Sequence, residues 1–395
     1  MRKKKILFVI ESLTAAGAEK SLVTFLSVLD KEKYEIDLQL FAYGGEFEKY
    51  LPNEVNLLLP LGYTQFVNKS IWRQLLTFDL QKIISRWTYS FSIRKKGLRH
   101  KDRARLFWRY VSNCIPQSGI NYDIAVAYAQ DLPTLYVVDK VTASKKFAWV
   151  NVRYIPEGIN YSYYKSFYSK IDYIVSVSDS AYEEFSAVYP CFKNKMQVIK
   201  DMLDASLITQ MSLEKQEIRY DTNIPVFLTV ARLNRPQKGY DITLEACRLL
   251  RDRGVRFKWY ALGRGEYRPE MESYIQKHHL EDVFIFLGTT PNPYPYIKNC
   301  TLYVQTSRHE GYGLSIAEAR ILNKPVVTTE FDAVWAQMVQ GENGLVVPQD
   351  PVAVADSIER LLNDQQLYNH IVAYQQQEKK GNTEEIEKFY QLIGD

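Results

Sequence analysis

A chain of 395 residues, 46% hydrophobic and 24% charged, has the balance of a globular protein, which argues against a disordered or membrane-spanning one. The length exceeds what one hydrophobic core ordinarily organises, so two domains are expected. The formal net charge is +4, yet Lys69 to Tyr110 alone holds twelve Lys/Arg and two Asp, so one segment makes an otherwise acidic chain basic.

The chain starts MRKKKILFVIESL. Its apolar run ILFVI is five residues long, and Glu11 cuts it short. A secretory leader needs ~7 to 15 apolar residues, so a buried first strand feeding a loop and a helix is expected instead. The helix AEKSLVTFLSVL comes next, and YEIDLQLFA, YDIAVAYA, KKFAWVNV and IDYIVSVS are further strand candidates. Between them, the basic segment interleaves aromatics with cations, and Leu75, Leu76, Leu80, Ile83, Ile84 and Trp87 recur at helical spacing. Such a stripe more often meets a core, but a positive face carrying Trp and Phe also suits anionic lipid. A solvated face is a third reading, and nucleic acid is not expected as a partner.

Residues 201–223 are polar and irregular, which marks them as a connection between domains. Beyond it PVFLTVA, FKWYALG, FIFLG, LYVQTS, PVVTT and GLVVP alternate with helical stretches. That rhythm implies right-handed crossovers and a parallel sheet covered on both faces, with ligands taken outside the carboxyl ends of its strands. No run reaches the ~20 apolar residues of a membrane-crossing helix. Cys114, Cys191, Cys247 and Cys300 lie far apart without a CxxC pair, as in a reduced cytoplasmic protein without structural zinc or disulfides.

The stretch SRHEGYGLSIAEA sets Glu310 in a loop after a strand and Glu318 about one turn inside the next helix. Gly311 and Gly313 permit close approach to a ligand, and amides at the helix start can receive an anion. An ionised carboxylate only accepts hydrogen bonds, so it suits sugar hydroxyls. A diphosphate needs cations, and TVARLNRPQKGYD supplies Arg232 at a strand end and Lys238 just before a helix. ALGRGEY adds a glycine loop at Gly263. No GxGxxG comes after the first strand, which disfavours hydride transfer, and no Asp-x-Asp triplet offers a divalent metal site.

These residues resemble the retaining glycosyltransferases of family 4, whose hallmark is two glutamates separated by seven residues, as in HEGYGLSIAEARILNKPVVTT. The Arg232–Lys238 pair, Gly263 and ENGLVV match further family positions in order, whereas the first half matches more loosely through AAGAEKSL and AWVNV. Similarity covers nearly the whole chain and is strongest from about residue 225 to 365.

The resemblance implies an α/β protein of the GT-B fold, two Rossmann-like doubly wound domains facing across a cleft. Residues 1–205 would form the acceptor-side domain, with a basic helical insertion at about 69–110. Residues 206–382 would bind a nucleotide diphosphate sugar, UDP- or GDP-linked, and 383–395 would be a terminal helix crossing back to the first domain. Arg232 and Lys238 would contact the diphosphate, Glu310 the transferred sugar and Glu318 the ribose. Gly17, Gly263 and the run Gly311, Tyr312, Gly313, Leu314 and Ser315 would line the donor, with Asn151 on the acceptor side.

Two positions depart from the pattern. Asn151 stands where many members carry His, and Asn does not titrate; Asp201 stands where Asn is common. The implied activity is a metal-independent hexosyl transfer to a glycan or lipid-linked saccharide in surface polysaccharide synthesis, with no cofactor. It would be cytoplasmic, at or near the inner membrane face. The alternatives are a hydrolase or converting enzyme for nucleotide sugars on the same fold, or a non-enzymatic partner that binds them.

Overall fold

A computed structural model describes residues 2–14, 17–68, 70–77, 79–94, 100–151, 159–216, 220–221 and 223–394. The chain divides into two compact units, Met1–Met202 with Thr383–Asp395, and Leu203–Asn382.

In the first unit, strands β1 (Lys4–Ile10), β2 (Tyr34–Leu40), β3 (Val55–Leu57), β4 (Asn121–Ala127), β5 (Thr142–Val150), β6 (Tyr173–Ser176) and β7 (Met196–Val198) form one sheet. Its order is β3-β2-β1-β4-β5-β6-β7, and every pair is parallel. Side chains alternate across a strand, so Ile6, Phe8 and Ile10 enter one core while Leu7 and Val9 enter the other. Both faces are covered, which explains why ILFVI reads as an unbroken apolar run.

The helix Ile386–Ile393 belongs to this unit. Ile386, Phe389 and Ile393 share one face and are buried, with Phe389 edge-on to Phe25 at 5.1 Å between ring centres.

In the basic segment only part of the periodic stripe meets the core. The helix Leu80–Ser92 buries Ser85 and packs Ile83 and Tyr89 against the core, but Leu76, Leu80, Ile84 and Trp87 face solvent. The side chain of Leu75 lies outside the described residues.

The polar connection also contains more order than its composition suggests. The helix Ala205–Met211 starts at Asp204, whose carboxylate accepts from the amides of Ser206 and Leu207. A capping Asp satisfies amides that a helix start leaves orphaned.

In the second unit β8 (Val226–Val230), β9 (Lys258–Leu262), β10 (Phe284–Gly288), β11 (Leu302–Gln305), β12 (Val326–Thr329) and β13 (Gly344–Val347) form a parallel sheet of order β10-β9-β8-β11-β12-β13. The chain builds outward from β8 in one direction, then returns to place β11 on its other side. Crossovers on either side of this switch point diverge, leaving a crevice at the carboxyl ends of β8 and β11.

Candidate active site

Two loops meet at that switch point. Residues 231–239 come after β8 and residues 306–313 after β11. They are stitched together. The Arg308 amide donates to the Gln237 carbonyl at 2.7 Å, and the Thr306 hydroxyl donates to the Gly239 carbonyl at 2.9 Å. Arg308 forks onto Asp241 at 2.8 and 2.7 Å. Burial works against the charged Asp241 carboxyl, but the hydrogen bond and charge of Arg308 hold its pKa below the ordinary value.

Gly239 makes the close approach possible. Its φ is +62°, and a Cβ there would fall 2.0 Å from the Thr306 carbonyl oxygen. No side chain fits that gap.

The stitching brings Lys238 and Glu310 into direct contact. The Lys238 ammonium donates to both Glu310 oxygens, at 2.6 Å to Oε1 and 2.8 Å to Oε2. Both side chains are largely buried, at 13% and 9% exposure, so solvent screens this pair weakly. Oε1 also accepts from the Ser307 hydroxyl at 2.6 Å and the Gln305 amide at 3.2 Å. The carboxylate is thus pinned through one oxygen. Oε2 is held by the lysine, and it is the oxygen that a ligand hydroxyl can share.

Arg232 is exposed at the edge of the same loop and donates to the Gln237 side chain at 3.4 Å. Gly263 comes directly after β9 and supports the Arg232 backbone from behind. With φ +154°, a Cβ on Gly263 would lie 1.9 Å from the Ala231 carbonyl oxygen.

Past Glu310, Gly311 is exposed and Tyr312 partly so. Gly313 caps the helix Leu314–Ile321 at φ +84° without a side-chain cap hydrogen bond, and its carbonyl accepts from Gln337. The helix start at Leu314 and Ser315 is close to the Glu310 loop in sequence. Glu318 turns inward, 1% exposed, and accepts from the Tyr294 hydroxyl at 3.2 Å.

Arg232, Lys238, Gly263 and Glu310, with residues 311–315, therefore share one edge of the second sheet, whereas Glu318 lies beneath it.

The other two predicted residues belong to the first unit. Gly17 is exposed at the start of the helix Gly17–Val28 after β1, and Asn151 comes directly after β5. They are linked indirectly. Asn151 donates from its side chain to the Tyr128 carbonyl at 2.7 Å, and the Tyr128 hydroxyl meets the Ser21 hydroxyl at 3.0 Å on that helix.

Sequence reasoning missed Gln305, Ser307 and Tyr294, although QTS places three polar side chains at the carboxyl end of a buried strand, Gln305 and Ser307 among them. Both are buried beside Glu310, and polar residues in that position are themselves a signal. Among the described residues no three His, Cys, Asp or Glu side chains group as a metal site requires.

Residues 211–378, which carry this edge of the sheet, match the family described as glycosyl transferases group 1. An uncharacterized glycosyltransferase of Methanocaldococcus jannaschii is 27% identical over 170 residues, 42% of each chain. The alpha-D-kanosaminyltransferase of Streptomyces kanamyceticus is 31% identical over 146 residues, 36% of this chain and 38% of its own. These matches span less than half the length of the curated relatives.

A capsular polysaccharide biosynthesis glycosyltransferase, CapM of Staphylococcus aureus, is 21% identical over 93% of this chain and 90% of its own. Among solved structures, HepE of Anabaena in complex with UDP and glucose superposes with a TM-score of 0.64 at 18% identity, covering 95% of this chain and 94% of its own. A TarM variant of S. aureus in complex with fondaparinux, alpha-GlcNAc-glycerol and UDP gives 0.68 at 15%, covering 99% and 100%. Likeness at that identity speaks to fold. The chain has the GT-B fold, and its second unit is similar to the glycosyl transferases group 1.

Proposed function

We propose that this protein is a retaining, metal-independent hexosyltransferase. It takes a nucleotide diphosphate sugar, UDP- or GDP-linked, and glycosylates a glycan or lipid-linked saccharide in surface polysaccharide synthesis. The observation that carries the reading is the contact of Lys238 with Glu310 at the β8–β11 switch point, 2.6 Å from ammonium to carboxylate.

In this reading the diphosphate enters beside Arg232 and Lys238, and the amides at Gly313, Leu314 and Ser315 cap one phosphate. Lys238 then turns part of its charge from Glu310 to the phosphate, and a sugar hydroxyl donates to the Oε2 it relinquishes. Ser307 and Gln305 keep Oε1 in place while this happens. Negative charge grows on the diphosphate as the glycosidic bond breaks, so preorganised cations there favour the transition state over the ground state. The acceptor hydroxyl attacks from the face the diphosphate leaves and passes its proton to a departing phosphate oxygen. The anomeric configuration is thereby retained with no carboxylate beneath the ring. Glu318 meets the ribose after a small outward adjustment of its buried side chain. Support for the acceptor class comes from relatives named for polysaccharide assembly, CapM among them. A cytoplasmic site fits the four unpaired cysteines.

The test is to incubate the protein with UDP- and GDP-sugars, with and without saccharide acceptors, and to monitor products by NMR. Expected are acceptor-dependent consumption of one donor, a product with the donor's anomeric configuration, and a rate unchanged within about twofold by chelator. Donor loss at the same rate without acceptor would replace transfer by hydrolysis. An inverted product would remove the same-face mechanism.

A further inference from the structure

The first unit carries a surface that the donor site does not use. On the helix Leu80–Ser92, Leu80, Ile84, Trp87 and Phe91 recur at four-, three- and four-residue intervals and so line one face. They are 60–77% exposed. Trp72 and Leu76, just ahead of this helix in the chain, are also exposed, at 79% and 71%. The opposite face is anchored. Ser85 is buried and accepts from the Cys114 thiol, the Arg86 guanidinium donates to the Val67 carbonyl, and Tyr89 packs edge-on against Phe107 at 5.4 Å. The helix is thus fixed on its protein side and presents four large apolar groups to water on the other.

Cations accompany them along the segment. Arg73, beside Trp72 in the chain, and Arg94 are exposed, and the Arg94 guanidinium lies 5.8 Å from the Phe91 ring centre. The segment's acidic residues, Asp79 and Asp102, are engaged by Lys82 at 2.7 Å and Arg105 at 3.6 Å.

We infer that this face is a membrane-surface anchor, laid in the plane of a bilayer rich in anionic phospholipid. The charge selects this occupant. A second copy would bring the same strongly positive segment against itself, and a nucleic acid backbone offers nothing for four aligned Leu, Ile, Trp and Phe side chains to enter. Acyl chains under an anionic headgroup layer match both features at once, as for helices that lie at an interface. No helix among the described residues is long and apolar enough to cross a membrane, so the attachment is peripheral. Nothing in it depends on the donor chemistry, so either can fail alone.

The experiment uses the full chain with sedimented vesicles of phosphatidylcholine alone or mixed with phosphatidylglycerol. Expected is roughly tenfold or greater preference for the mixed vesicles at low salt. The preference should fade at about 1 M salt, where the screening length drops to about 3 Å. Trp87→Ser with Phe91→Ser should pellet near background while keeping the far-UV circular dichroism and melting temperature of the parent, since both side chains lie outside the core. Arg73→Glu with Arg94→Glu should lose the anionic preference. Equal pelleting with both lipids, no pelleting, or an unaffected Trp87/Phe91 variant would overturn the inference. So would a lipid-free dimer that the same variant dissociates, because the face would then belong to a second copy.

Discussion

Lys238 has opposite tasks in the empty and the occupied site. Empty, it neutralises a carboxylate whose charge burial would otherwise leave uncompensated; occupied, it is to meet a diphosphate. A largely buried ion pair adds little net stability, but removing one partner strands the other. Lys238→Met and Glu310→Gln should therefore each lower the melting temperature, while the double variant recovers most of it. Turnover separates the catalytic share, because it should stay about 100- to 1,000-fold down in Lys238→Met and in the double variant alike. Turnover within threefold of the parent in Lys238→Met would end the assignment.

Both residues were legible in the sequence because each stands beside a glycine in a loop that leaves a strand. Gln305 and Ser307 show in the sequence only as polar residues at a strand end, since their meaning depends on the oxygen they hold. Asp201 has no role that its sequence context reveals, and the structure supplies a physical one. Burial raises its pKa from 3.8 to about 6, partly opposed by a hydrogen bond to Ser21. Between those values the folded state holds a proton that the unfolded state releases, so stability falls as pH rises through the window. Asp201→Asn should match the parent near pH 4 and be more stable at pH 7.5, by at most about 3 kcal/mol. A melting difference that does not change with pH would show that the carboxyl titrates normally.

Strands and helices long enough to show a period could be read from the sequence, and short ones could not. β3 and β7 are three residues each, less than two repeats of the strand alternation, and they hold their places by pairing with β2 and β6. The helix Ala205–Met211 was hidden by the polar stretch around it, although Asp204 is an ordinary cap signal. The stripe on Leu80–Ser92 was legible as periodic, but core, lipid and solvent readings stayed open, because a period does not say which medium its apolar side meets. Glycine loops show the same division between pattern and context. Gly263 and Gly254 both have positive φ, +154° and +80°, but a Cβ on Gly254 would meet nothing within 4 Å. Gly254→Ala should thus carry only the backbone penalty of about 1–2 kcal/mol and leave donor binding intact. Gly263→Ala should also push on the Ala231 carbonyl, displace Arg232 and weaken binding of the nucleotide diphosphate about tenfold or more. Calorimetric titration with UDP and GDP distinguishes them. Equal affinities in the two variants would mean that the loop carrying Arg232 does not set the diphosphate subsite.

The chain leaves its first unit at Met202 and returns to it at Thr383, so the core of that unit is finished by the last residues of the sequence. TEEIEKFYQLI announces an amphipathic helix, but the sequence does not reveal how much depends on it. Phe389 is fully buried among Phe25, Phe147 and Trp149, at 5.1, 5.5 and 6.1 Å between ring centres. Tyr390 stacks on Tyr34 at 5.9 Å, and its hydroxyl accepts from the Asp30 amide at 2.9 Å. Truncating one core Phe to Ala typically costs about 3–5 kcal/mol, a large part of what a domain of this size has in reserve. Ending the chain after Asn382 removes Ile386, Phe389 and Ile393 together and uncovers the inner face of the helix Gly17–Val28. Hydrogen exchange should then show protection lost in that helix and in β5, with β8, β11 and β12 keeping theirs. Phe389→Ala should give the same pattern at smaller amplitude. The physical reason for a local result is that exchange tracks the opening free energy of each cooperative unit, and the second unit's core contains none of the removed side chains. Unchanged protection in Gly17–Val28 after truncation would mean that the first unit closes its core without the returning helix. Equal loss in β8 and β11 would mean that the two units open as one.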